Sequence, residues 1–253
     1  MTPTLLRAYL EFYQDIGVKE LYRRQRGTDT LVCGVETPLD ATPADSPQIV
    51  SEPRPSRSDP APATHSLLKI LEDIGDCRRC RLHEGRTNLV FGVGNPQSPL
   101  VFVGEGPGAD EDAQGIPFVG RAGQLLTQMI EGTAGKEGIP LKREDVYICN
   151  VVKCRPPGNR TPEPDEMEIC GEFLYQQLLE IAPKAICALG GTAARALTGR
   201  KEGVTKLRGK WLKWRDIPLL VTYHPSYLLR PYNQSAKREA WEDLKKILHF
   251  VYD

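Results

Sequence analysis

The chain has 253 residues, 40% hydrophobic and 26% charged, with 33 Lys and Arg against 33 Asp and Glu. These proportions fit one ordinary globular domain plus extra material, and a zero net charge excludes a uniformly basic polyanion binder. No run approaches the roughly 20 apolar residues of a membrane helix, and the N-terminus lacks a secretory signal pattern, so the protein is expected in the cytoplasm without membrane contact.

Leu5, Leu6, Tyr9, Leu10, Tyr13 and Ile16 recur at helical spacing and predict an amphipathic helix near residues 3–25. Residues 1–36 are therefore expected to form an N-terminal helical segment that can dock on a protein partner. Seven of the 21 prolines fall in residues 37–63, among Ser, Ala, Asp and Thr. Residues 37–65 accordingly read as a Pro-rich disordered linker. The folded domain is expected over residues 66–253.

The seven cysteines are an odd number, and a reducing compartment offers a chain of this size little use for disulfides. Cys77 and Cys80 form a C-x-x-C pair, able to grip one metal centre from a single turn. Cys154, in a loop after a strand, and Cys170, in a helix, supply two further thiols. On spacing alone zinc, an iron–sulfur cluster and no metal all stay open. Cys149 and Cys187 sit in apolar runs and read as small buried hydrophobes, and Cys33 has no partner at ligand spacing.

Leu100–Gly104 reads as a buried strand that runs into Gly104-Glu105-Gly106-Pro107-Gly108, a turn in which backbone amides can approach a ligand. The segment matches G-x-G-x-x-A, but a dinucleotide site is not expected. Pro107 and the acids Asp110, Glu111 and Asp112 leave no clean helix N-terminus after the glycines and would repel a pyrophosphate. Phe118 lies in the tight loop Gly115–Gly120, where its ring either stacks on a planar base or plugs the core. A helix is predicted over 124–131 and a strand over Val146–Val152. Asn150 on that strand either offers the donor and acceptor that read a pyrimidine edge or is a simple turn residue.

Helices are further predicted over 165–181, 192–197 and 235–249, and strands over Ala185–Leu189 and Pro218–Thr222. The stretch from Arg195 to Arg215 holds eight Lys and Arg against Glu202 alone and forms a candidate basic face for phosphates. His224-Pro225 follows the last strand. Its histidine is placed to stabilise negative charge on a departing group, and Leu228 and Leu229 to wedge into a base stack. The bland alternative for His224 is a turn residue before a helix. The alternation of strands and helices argues an α/β domain on a mostly parallel sheet, with sites beyond the carboxyl ends of its strands.

Four separated motifs, GEGPG from Gly104 to Gly108, PFVGRAGQLL from Pro117 to Leu126, NVVKCRPP from Asn150 to Pro157 and HPSYLLR from His224 to Arg230, together resemble the family 4 uracil-DNA glycosylases. The resemblance covers about residues 66 to 249. It implies a three-layer α/β/α sandwich on a four-stranded parallel sheet, and a [4Fe–4S] cluster held by Cys77, Cys80, Cys154 and Cys170 in a structural role. It implies uracil-containing DNA, single- or double-stranded, as partner, and a monomeric enzyme that leaves an abasic site. Gly104, Gly106, Phe118 and Asn150 would form the base pocket, with Phe118 stacked on the flipped uracil and Asn150 on its edge. His224 would bond the uracil O2, Glu105 would stand near the attacking water, and Leu228 or Leu229 would fill the gap in the duplex. Family 1 enzymes carry an Asp in the glycine loop to orient water, and the corresponding place here is glycine, which leaves Glu105 as the candidate base.

Two rival readings belong to other classes. One is a non-catalytic or uracil-trapping DNA-binding protein of the same fold. The trapping branch inserts a basic loop with a histidine, and no insertion interrupts Lys206-Leu207-Arg208-Gly209-Lys210-Trp211. The other is a hydrolase of free nucleosides, which the leucine pair and the basic stretch argue against.

Overall fold

The computed structural model describes residues 62–230 and 233–253. The helix expected at 3–25, the docking segment 1–36 and most of the linker 37–65 lie outside the described residues. Along the chain come α1 (Pro62–Ile74), a 3-10 turn (Arg81–His83), β1 (Val93–Gly94), β2 (Leu100–Gly104), α2 (Ala109–Gln114) and α3 (Arg121–Lys136). They are followed by a second 3-10 turn (Arg143–Asp145), β3 (Tyr147–Asn150), α4 (Pro164–Ile181), β4 (Ala185–Leu189) and α5 (Gly191–Thr198). The remainder is α6 (Val204–Leu207), β5 (Trp211–Trp214), β6 (Ile217–Thr222), α7 (Pro225–Leu228) and α8 (Gln234–Tyr252). Residues 62–65, expected in the linker, are thus the first turn of α1, where Pro62 suits a helix start.

Among the described residues the sheet has six strands in the order β1-β3-β2-β4-β6-β5, not the four expected. β3, β2, β4 and β6 run parallel in the middle, and β1 and β5 pair antiparallel on the two edges. The edges escaped the sequence reading for separate reasons. β1 is two residues long, and β5 carries exposed Lys213 between its tryptophans, so it looked like charged surface.

Strand periodicity decides the layering. In β2, Val101 and Val103 point into one core cluster with Leu67, Leu174 and Leu178 of α1 and α4, while Leu100 and Phe102 point into the other with Leu126 of α3. Both faces are covered, so every residue of β2 and β4 is buried and apolar or glycine, as parallel strands require. Cys149 and Cys187 are core residues, as expected, at 1% and 0% exposure. Leu244, Ile247, Leu248 and Val251 recur on one face of α8 and are buried, each contributing about 1.5–3 kcal/mol of transfer free energy. Among the described residues no helix is long and apolar enough to cross a membrane.

The last turn of α8 is tied to α3 by ionisable groups. His249 Nε2 lies 2.9 Å from Glu137 Oε2 and its Nδ1 2.8 Å from Asp253 Oδ2, with Lys245 Nζ 3.1 Å from the same Glu137 oxygen. The bond to Glu137, then that to Asp253, raises the histidine above its ordinary 6.5. A raised folded-state value stabilises fully below the unfolded value and ceases to do so as pH climbs through the folded one. Tm should therefore lose a component on alkalinisation past 6.5, and His249→Gln should abolish that component when Tm is measured against pH.

The glycine loop departs from expectation. A helix does begin directly after it: Gly108 is the N-cap of α2, and Asp110, Glu111 and Asp112 form its first turn. Two of these acids do not act as free charges. Asp112 is buried and its Oδ1 accepts from the N–H of Thr87 at 2.8 Å and Asn88 at 3.3 Å. Glu111 accepts three backbone N–H groups, described below.

Candidate active site

The chain leaves β2 toward β3 on one side and then crosses to β4 and β6 on the other, so connections diverge above the carboxyl ends of β2 and β4. A pocket of about 430 Å³ opens there, within the roughly 300–1,000 Å³ of small-molecule sites. Glu105, Gly106, Phe118, Asn150, Gly190 and His224 line it, each brought by a different strand end or loop except the first two.

Gly104 ends β2 under two of these groups. A Cβ on it would collide with both Asn150 Oδ1 and the Phe118 ring, so only glycine lets the amide and the ring meet across the strand end. Asn150 is 1% exposed and its Oδ1 is buried with no hydrogen-bond partner among the described residues. An unpaired buried acceptor costs about 1–3 kcal/mol and marks a place where a partner is missing. Phe118 is buried beside it, its ring centroid 5.6 Å from that of His224.

His224 caps α7. The Ser226 N–H donates to its Nδ1 at 3.2 Å, and Ser226 Oγ lies 2.7 Å from the same atom. An N–H can only donate, so Nδ1 is unprotonated and the proton of the neutral ring sits on Nε2. Desolvation in the pocket lowers the imidazole to about 4, against a smaller opposing pull from the Glu111 charge. Gly190 makes room for it: φ is +93°, and a Cβ would fall 3.1 Å from that of His224. The arrangement presents a neutral N–H donor to the pocket.

Glu105 accepts a short hydrogen bond from Thr192 Oγ1 in the first turn of α5. Leu228 does not project toward the surface. It is 1% exposed and packed with Tyr223, Ala236 and Ala240, whereas Leu229 is half-buried and Tyr227 exposed. Of the basic stretch, Arg208 is not available to phosphates, because it donates to Asp243 Oδ1 at 2.6 Å and Oδ2 at 3.0 Å. Lys201, Lys206, Lys210 and Lys213 remain exposed.

The four cysteines singled out above line a second, separate cavity together with His83 and Arg86. All four are free thiols. Among the described residues no group of three or more His, Cys, Asp or Glu is placed to grip a single metal ion. The surroundings nevertheless suit bound thiolates: Arg86 Nη1 donates to Cys154 Sγ at 3.3 Å and the Lys153 N–H to Cys170 Sγ at 3.2 Å. Burial pushes Cys80 and Cys154 upward and Cys170 up to about 12. Thiolates so enclosed need positive charge among them, which fits an all-sulfur metal centre. The loop leaving Cys154 reaches the pocket above β2 and β4, since Pro156, Asn159 and Arg160 form part of its wall. Arg160 is held there by a two-point pair with buried Glu166 of α4, at 2.7 and 2.8 Å.

Sequence reasoning missed Glu111, Thr192, Ser226 and Gly190. Glu111 was signalled only by its place three residues after Gly108, the spacing of a capping box. Thr192 meets Glu105 from 87 positions away, which no local pattern reveals.

The class of protein is defined by sequence: residues 91–245, which hold the sheet and this pocket, match the family model described as the Uracil DNA glycosylase superfamily. The type-4 uracil-DNA glycosylase of Thermotoga maritima is 47% identical over 188 residues, which cover 73% of this chain and 95% of that protein. Those of Archaeoglobus fulgidus and Sulfurisphaera tokodaii are each 44% identical over 190 residues, 72% of this chain and 92% and 83% of theirs. The chain belongs to the type-4 uracil-DNA glycosylases.

Proposed function

We propose that the pocket takes up a uracil extruded from DNA and hydrolyses its N-glycosidic bond, releasing free uracil and leaving an abasic site. The observation that carries this assignment is the orphaned Asn150 Oδ1, buried against the Phe118 ring over Gly104. A planar base with an N–H on its edge, stacked on that ring, supplies the missing donor, and a base within a duplex must leave the stack to reach it.

In the reaction the C1′–N1 bond breaks, with its electron pair leaving on uracil. His224 donates its Nε2 hydrogen to O2 as charge gathers there, and a neutral donor suffices because the anion is stabilised where it forms. Water adds to C1′ while Glu105, oriented by Thr192, accepts its proton; the uracil anion is protonated from solvent. The exposed lysines between 201 and 213 meet phosphates, and Leu229 with Tyr227 takes the wedge role.

Cys77, Cys80, Cys154 and Cys170 would hold a [4Fe–4S] cluster. It supplies no redox step to this hydrolysis, and its contribution is to hold the loop from Cys154 to Arg160. The protein is read as a cytoplasmic monomer whose glycosylase domain spans residues 62–253, with residues 1–36 as a docking segment for a protein partner. A pull-down with residues 1–36 that recovers nothing above background would remove the last element.

The test is release of free uracil from single- and double-stranded oligonucleotides carrying one uracil, scored by alkaline cleavage at the abasic site. Tight binding without cleavage by iron-replete protein would favour the binding-protein reading, and turnover of free deoxyuridine in preference to DNA would favour the nucleoside hydrolase. Within the same assay Asn150→Asp replaces an amide with an acceptor-only carboxylate. It should slow release by about 1–3 kcal/mol, or roughly five- to 150-fold. An unchanged rate and selectivity would remove the edge-reading role.

A further inference from the structure

Phe118 holds a backbone conformation that its residue type disfavours. Its φ is +54°, in the left-handed region that bulky residues rarely enter. Such a residue stays there only when its surroundings over-determine it, and here two charged side chains do so from opposite sides. Glu111 Oε1 accepts the N–H of Val119 at 3.0 Å and of Gly120 at 2.9 Å, while its Oε2 accepts that of Gly108 at 3.0 Å. One carboxylate thus ties the glycine loop to the two residues after Phe118. Arg143 reaches in from the 3-10 turn before β3, donating to Pro117 O at 2.8 Å and to Thr127 Oγ1 at 2.9 Å. It thereby fixes the residue before Phe118 against the start of α3. At that start a Cβ on Gly123 would overlap the Phe118 carbonyl, so the helix closes on the loop from below.

We propose that Glu111 and Arg143 are positioning residues for base stacking, a clamp that holds the Phe118 ring over Gly104 without Arg143 lining the pocket at all. This rests on the reading of Phe118 as the stacking residue. The chemistry of the clamp also explains an acid in a pocket where negative charge develops. Three N–H groups engage the Glu111 carboxylate, so its work in the clamp is acceptance of hydrogen bonds. Glutamine, whose carbonyl can keep the bonds to Val119 and Gly120, is then a conservative replacement, and alanine is not.

The experiment is a double-mutant cycle between the clamp and the ring, read by single-turnover uracil release and by the inhibition constant of free uracil, with Tm recorded for each variant. Glu111→Ala should slow release roughly 10²-fold, the scale of an ångström-sized misplacement, and weaken inhibition by uracil. Glu111→Gln should rescue most of both. In a Phe118→Ala background the Glu111→Ala factor should shrink to within about twofold of one, because nothing is left to position. The same factor in both backgrounds would overturn the clamp and leave the stacking reading intact. A Phe118→Ala enzyme that releases uracil and binds it as wild type does would overturn both. Should Glu111→Ala not fold, Arg143→Lys, which keeps the charge and loses the two-point fork, runs the same cycle by the same criterion.

Discussion

His224→Ala is expected to release uracil about 10²–10³-fold more slowly than wild type, equivalent to roughly 2.7–4 kcal/mol of transition-state stabilisation. The argument is geometric before it is electrostatic. With the Ser226 N–H on Nδ1, the only hydrogen left to donate is on Nε2, and the pocket wall directs the ring beside Phe118. Because desolvation keeps the ring neutral to about 4, the single-turnover rate should show no inflection near 6.5, and its acid limb should fall near 4. Stability follows the same group with a definite sign. Between pH 6.5 and about 4 the unfolded chain takes up a proton that the folded one does not, so acidification through that window destabilises the fold. His224→Ala should remove that acid sensitivity while it removes activity. A mutant within a few-fold of wild type, or a wild-type inflection at 6.5, would sink the leaving-group role.

The second large effect concerns the thiols. Cys154→Ala or Cys170→Ala should yield protein that purifies anaerobically with little iron and without the brown colour that the proposed cluster would give wild type. Loss of a structural metal belongs to the few changes that cost at least about 4 kcal/mol, or roughly 10 °C in Tm for a domain of this size. Uracil release should collapse with it, since Pro156, Asn159 and Arg160 on the loop from Cys154 wall the base pocket. Cys187→Ala, in the core and remote from the cavity of thiols, should keep its iron and serve as control. Wild-type protein that is colourless and carries zinc in place of iron would overturn the cluster assignment.

How much of this was legible in the sequence depends on how local each signal is. β2 and β4 were readable at their observed bounds, because strands covered on both faces must be apolar throughout. The candidate site was readable as separated motifs, three of them at strand ends, and the fold gathers Glu105, Phe118, Asn150 and His224 around one pocket. The acids after the glycine loop were misjudged because they were weighed as charges, whereas Glu111 and Asp112 spend themselves on backbone N–H groups that only the folded loops present. Leu228 looked like half of an apolar wedge, yet one turn of helix points it inward against α8. Such facts live in the third dimension, and of them only Glu111 left a trace in spacing, three residues after Gly108.

The two antiparallel edges have a consequence beyond the site. A parallel sheet left open would offer rows of unpaired amides to any extended peptide or second chain. Here one border is a strand only two residues long, and the other carries exposed Lys213 and ends in a turn at Arg215 with φ +52°. Each border is thus short or interrupted by charge, which leaves a foreign strand little length to pair with. The pocket-bearing edge is thereby left open to a polymer as long as DNA, while each side of the sheet ends in a strand of at most four residues.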